Sequence, residues 1–124
     1  MSRLLIKSFK SGAATNAYRF AKFGADELHA VQGAAATDQL LGIFNELPTA
    51  AAEQSVDVVM AGITELELGG SVALTDKLVS DANGKGVAAA PATGANVFVG
   101  AKPLKAGVAG DIIPVMIVIY SLQG

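Results

Sequence analysis

The stretch Ser55–Gly70, "SVDVVMAGITELELGG", decides the fold class. Val56, Val58 and Met60 fall on every second position. After Ile63, Leu66 and Leu68 alternate with Glu65 and Glu67 until the run stops at Gly69-Gly70. A side-chain period of two belongs to a pleated strand, whose successive side chains point to opposite faces; a helix would repeat every three or four residues. The stretch therefore predicts strand structure with one face toward a core, ended by a turn at Gly69 and Gly70.

Working outward, "KLVSD" and "KGVAAA" flank Asn83-Gly84. Asn-Gly suits a two-residue β-hairpin of type I′, whose central residues need positive φ. A calcium loop starting at Asp81 is the competing reading. It needs further oxygen ligands downstream, usually ending in a bidentate Glu. Here Asp81 is followed by Lys85 and then by "GVAAAPATGA", which has no acid, so the hairpin is the better reading.

The rest of the chain has the same character. "LLIKSF" is a candidate strand and "SGAATN" a small-residue linker. "AYRFAKF" alternates, with Tyr18, Phe20 and Lys22 on one face. "ELHAVQG" ends at Gly33. "QLLGIFNE" has apolar residues at helical spacing, but Gly42 and its brevity favour a strand. "NVFVGAKP" and "DIIPVMIVIY" close the chain. Fourteen glycines punctuate these runs. The expectation is an all-β, single-domain barrel or sandwich of about eight short strands. Pro114 is expected at an edge, a bulge or a strand end, since it cannot donate to a ladder.

At 124 residues the chain fits one domain. Aromatic residues make up 6% and charged residues 16%, the latter below the roughly 25% of ordinary soluble domains. Such a surface suits burial against a partner. Cysteine is absent, which excludes disulfides and thiolate metal sites. No apolar run has signal-peptide or bilayer-spanning length, so neither classical secretion nor membrane insertion is expected.

Charge is unevenly distributed. Residues 1–23 carry Arg3, Lys7, Lys10, Arg19 and Lys22 with no acid, a net of +5. Residues 24–124 carry eleven acids against Lys77, Lys85, Lys102 and Lys105, a net of −7, which recovers the chain's −2. The pattern predicts an extended, basic and apolar N-terminal arm over residues 1–23 on an acidic compact β domain over residues 24–124, with an electrostatically guided contact at the arm. The acidic body argues against nucleic acid as that partner.

No catalytic arrangement emerges. His29 is the sole histidine, lies in an alternating run and has no nucleophile elbow to serve. Asp26 and Glu27 are neighbours that would point to opposite faces of a strand. Glu65 and Glu67 share a face but read as a solvated one, not as carboxyls facing across a cleft. No glycine-rich loop leads into a helix as a phosphate cradle would. The expectation is a protein that is not an enzyme and holds no cofactor or metal.

Residues 28–120 resemble the small capsid decoration, or head cement, proteins of tailed bacteriophages. The likeness runs through Val56, Val58 and Gly62, the turn Gly69-Gly70, the step Asp76-Lys77-Leu78, the turn Asp81–Gly84, and then Gly100, Ala101, Ala106, Gly110 and Asp111. Thr75 departs from the pattern, which usually has glycine there. The resemblance implies a structural virion protein on the outer surface of the expanded head. It would clamp neighbouring major capsid subunits and meet copies of itself as a trimer or cluster. Another virion β-protein, a tail-tube or head-fibre component, is the alternative, followed by a small-ligand or nucleic-acid-binding barrel. The arm lies outside the resemblance. On physical grounds Arg3, Lys7, Lys10, Arg19 and Lys22 are expected to meet acidic capsid patches, while Leu4, Ile6, Phe9, Tyr18 and Phe20 fill apolar grooves.

Overall fold

The computed structural model describes residues 5–45 and 47–124 and is all-β, with no helix among them. Ten strands run in chain order: β1 Leu5–Ser11, β2 Phe20–Phe23, β3 His29–Gln32, β4 Leu40–Phe44, β5 Ser55–Ala61, β6 Ile63–Glu67, β7 Leu78–Ser80, β8 Gly86–Ala88, β9 Asn96–Pro103 and β10 Ile112–Gln123. The first five close a barrel in the order β1-β3-β2-β4-β5. The last five form a sheet in the order β6-β10-β9-β7-β8. The ten strands exceed the expected eight because runs that read as continuous in sequence are broken.

Ser55–Leu68 is the clearest such break. Gly62 has φ of 98°, a conformation that interrupts the pleat and that glycine adopts without steric cost. The chain leaves the barrel as β5 and enters the second sheet as β6 across this one residue. Its carbonyl accepts from the Ile117 amide at 3.0 Å, fixing the crossing to β10.

The expected arm is, from Leu5 onward, part of the barrel. β1 pairs antiparallel with β5, Phe9 opposite Val56, and parallel with β3 at Lys10 and Ser11. Phe9 and Ser11 point inward while Lys10, between them, points out, so Lys10 belongs to the solvent face of a strand. Phe20 and Ala21 in β2 are fully buried. Burial of these apolar side chains favours barrel closure over a solvated arm.

Three apolar clusters are buried, one of them Val79, Val97 and Val99 on the second sheet, and the other two form the barrel interior and the joint between barrel and sheet. The barrel interior is filled by Phe9, Ala21, Ala30, Leu41, Phe44, Val56 and Val58. Between barrel and sheet lie Phe20, Leu40, Ile43 and Val59 from the barrel, against Leu66, Leu78, Ala101, Ile113 and Val115. β4 serves both layers, and every one of its residues is buried, which explains why it shows no alternation. Gly100 allows the close approach, since a Cβ there would lie 2.5 Å from Leu40 Cδ1 and 2.6 Å from Phe20 Cε1.

Tyr18 is strained to join the layers. Its φ is 60°, in the left-handed region costly for an aromatic side chain. In return its N–H donates to Phe44 O at 3.2 Å and its carbonyl accepts from Glu67 N at 2.9 Å, tying β4 to β6.

The β7–β8 hairpin forms as expected, but with a different turn. Ser80 pairs with Gly86 and the Asp81 amide donates to Lys85 O at 2.9 Å, so three residues, 82–84, make the loop. Gly84 is its only residue at positive φ, 76°, which rules out type I′ at Asn83-Gly84. The Gly84 amide donates to Asp81 O, and Asp81 Oδ1 accepts from the amides of Asn83 and Lys85. The Asp81 side chain thus caps a three-residue turn with glycine in the left-handed position. Gly69 packs against that carboxylate, while a Cβ at Gly70 would only reach ordinary contact with Val87 at 3.8 Å.

Pro114 lies inside β10, opposite Glu65 of β6. Its carbonyl accepts from Leu104 N at 3.0 Å, so its nitrogen faces the same side, where β9 has ended at Pro103. The missing donor falls at a strand end, as expected.

Candidate docking surface

Folding divides the ten expected contact residues. Arg3 and Leu4 lie outside the described residues. Phe9 and Phe20 are core, and Tyr18 is half-buried at the joint between the layers. Two of the cations are held within the molecule. Arg19 donates to Asn83 O at 2.9 Å and meets Glu67 Oε1 at 3.3 Å, and Lys85 reaches the other oxygen of Glu67 at 3.2 Å. Lys22 pairs with Asp38 at 3.1 Å. Burial works against ionisation of Asp38, but the Ala34 amide, the Lys22 ammonium and the Ala35 amide outweigh it and hold its carboxyl below the ordinary 3.8.

Ile6, Lys7 and Lys10 remain on the outside. They are joined by apolar side chains that the charge pattern did not single out: Leu5 (60% exposed), Phe23 (49%) and Leu28 (63%). Two of these groups, Lys7 and Phe23, meet Phe9. The Lys7 ammonium lies 5.2 Å over its ring and Phe23 packs edge-on at 6.1 Å. The Lys10 amide donates to Leu28 O at 2.9 Å. Because β3 pairs with β1 only at Lys10 and Ser11, Leu5–Phe9 has a sheet neighbour on one side only, β5. An open strand edge flanked by exposed apolar side chains and two lysines without a carboxylate partner among the described residues is suited to an acidic, extended partner segment.

His29 sits beside this surface in an arrangement that needed the fold to become visible. Its Nδ1 meets Asp26 Oδ1 at 2.6 Å and its Nε2 meets Glu53 Oε1 at 2.7 Å. A carboxylate only accepts, so the two contacts are hydrogen bonds together only when both ring nitrogens carry protons, which favours the imidazolium form. Hydrogen bonds that His29 donates to Asp26, first, and to Glu53 raise its pKa above the ordinary 6.5. The bond to His29 and the Leu28 amide lower that of Asp26. With both nitrogens committed, neither faces a hydroxyl, and the cluster is an ionic clasp from β3 to the β4–β5 loop. Glu53 reaches it at φ of 67°, with its N–H on Ser11 O. Nothing in the sequence around Glu53 marks it as this partner, 24 residues away. Among the described residues no set of three His, Asp or Glu side chains is arranged to hold a metal ion.

A second concave feature lies on the other sheet, a groove of about 600 Å³ lined by residues from Leu74–Lys77, β9 and β10. Its two lysines, Lys77 and Lys102, were visible in sequence as bases in an acidic body, but nothing there brought them together.

No family model matches the chain, and no curated protein sequence matches it. A solved structure does match, at a TM-score of 0.69 and 14% identity, over 98% of this chain and 100% of that one. It is the head fiber gp8.5 N base of bacteriophage phi29. At this identity the likeness is one of fold. It takes in the barrel and the second sheet together, so the phi29 head fiber base has the same architecture from end to end.

Proposed function

We propose that this chain is a non-enzymatic structural protein of a bacteriophage particle, docked on the outside of the head. The observation that carries the reading is the end-to-end fold likeness to the phi29 head fiber base. The basic, apolar end of the barrel supplies a surface of the right kind. Leu5, Ile6, Phe23 and Leu28 contribute the apolar contact, and Lys7 and Lys10 meet an acidic patch on the major capsid protein. The fold likeness favours a head-fibre component, which the sequence reading held as its alternative. The sequence resemblance over residues 28–120 favours the cement form, in which copies clamp neighbouring capsid subunits and many modest contacts add up across the shell.

Co-sedimentation with undecorated, expanded heads tests the shared claim, and saturation at a fixed ratio to capsid subunits is expected. Binding that never saturates, or none at high concentration, contradicts it. A heat challenge to saturated heads separates the two forms. A cement raises the temperature at which the shell fails, whereas a fibre component occupies its sites and leaves that temperature unchanged.

A further inference from the structure

The groove on the second sheet has a definite chemistry. Leu74, Val118 and Tyr120 line it with apolar surface, and Lys77 and Lys102 line it with charge. Leu74 is 57% exposed and Tyr120 39%. Neither ammonium has an ion-pair partner among the described residues, although residues 24–124 carry a net of −7. Lys85 shows the alternative in the same region, where its ammonium is paired with Glu67. Asp76, the groove's own acid, is turned to the Ala73 amide at 2.8 Å and caps its own loop. Two cations without an ion pair among the described residues, against the single carboxylate of Asp76, leave the groove net positive over an apolar floor, complementary to an anion attached to apolar surface. The apolar face also continues beyond the groove, because Lys102 pairs in register with the exposed Met116, itself opposite Ile63 of β6.

We propose that this groove is a second docking site, taking a segment of a head-shell protein in which a carboxylate lies beside an apolar side chain. The carboxylate sits between Lys77 and Lys102 while its apolar neighbour covers Leu74 and Tyr120. A volume of about 600 Å³ accommodates a few side chains, which matches an extended segment better than a whole domain face. The site rests on the head-docking reading but uses none of the barrel-end residues.

The test uses the full chain and undecorated heads. Lys77→Glu/Lys102→Glu and Leu74→Asp change exposed groups and are expected to leave the urea midpoint near wild type. Each is expected to weaken head binding by roughly tenfold or more. A photo-crosslinking residue at Leu74 is expected to capture an acid-bearing peptide of the shell. If wild type does not bind heads, the head-docking reading fails. If wild type binds and both variants bind equally well, or the crosslink joins two copies of this chain or captures nothing, the groove proposal is overturned and the docking reading stands.

Discussion

Arg19 and Glu67 meet at 3.3 Å although they are 48 residues apart, and through that pair the barrel is fastened to the second sheet. The same guanidinium holds the β7–β8 turn through Asn83 O at 2.9 Å. A cation that charge patterning places at a docking surface is therefore a structural group.

Replacing Arg19 should act on stability. Arg19→Ala removes a charged hydrogen bond and leaves Glu67 with Lys85 alone, a loss of about 1–3 kcal/mol by urea denaturation. Arg19→Lys should recover only part of it, because one ammonium cannot serve both partners in the geometry of the planar fork. An unchanged midpoint with weakened head binding would return Arg19 to the docking surface.

The two sheets pack closely at Gly100, and overpacking there should be felt across the interlayer core. Gly100→Ala sets a methyl against Leu40 and Phe20, an expected cost of about 1–3 kcal/mol. Gly70→Ala is the control, with only Val87 nearby at 3.8 Å. It should stay within about 0.5 kcal/mol of wild type.

The clasp of His29 between Asp26 and Glu53 predicts a pH dependence of definite sign. Because folding raises the His29 pKa, its contribution is complete below the ordinary 6.5 and is lost as pH rises through the raised value. Asp26 is lowered, so its contribution holds above the ordinary 3.8 and is lost as pH falls through the lowered value. The Tm deficit of His29→Gln should be largest between those two ordinary values and should shrink on the alkaline side. A deficit that grows with pH would contradict an imidazolium clasp.

At the barrel end the lysines differ by what they touch. Lys7→Glu/Lys10→Glu should leave the Tm near wild type and weaken head binding by roughly tenfold, with wild-type affinity falling as salt rises. Lys22→Glu should instead lower the Tm, since it sets a second carboxylate against Asp38.

These contrasts show how far the sequence could be read. Alternation at Val56, Val58, Leu66 and Leu68 reports the pleat directly, so the all-β class was legible, and so was the hairpin around Gly84. A barrel or sandwich was expected as well, but the way the barrel closes was not legible, because its closing pair, Lys10 with His29, is parallel and joins segments whose pairing leaves no local pattern. The charge run of residues 1–23 misled for a related reason. Net charge does not distinguish a lysine facing solvent, such as Lys10, from an arginine buried against a distant glutamate. The candidate surface was half legible. Ile6, Lys7 and Lys10 stood out, but Phe23 joined them only through its contact with Phe9 and Leu28 only through the Lys10 amide.

Docking on the head exterior is tested most directly by cryo-electron microscopy of undecorated heads incubated with the protein. The account predicts density at fixed lattice sites on the outer shell, into which the barrel and second sheet fit together with Lys7, Lys10, Phe23 and Leu28 facing the shell. Bare shells at saturating protein, or bound density with that end of the barrel turned to solvent, would contradict it.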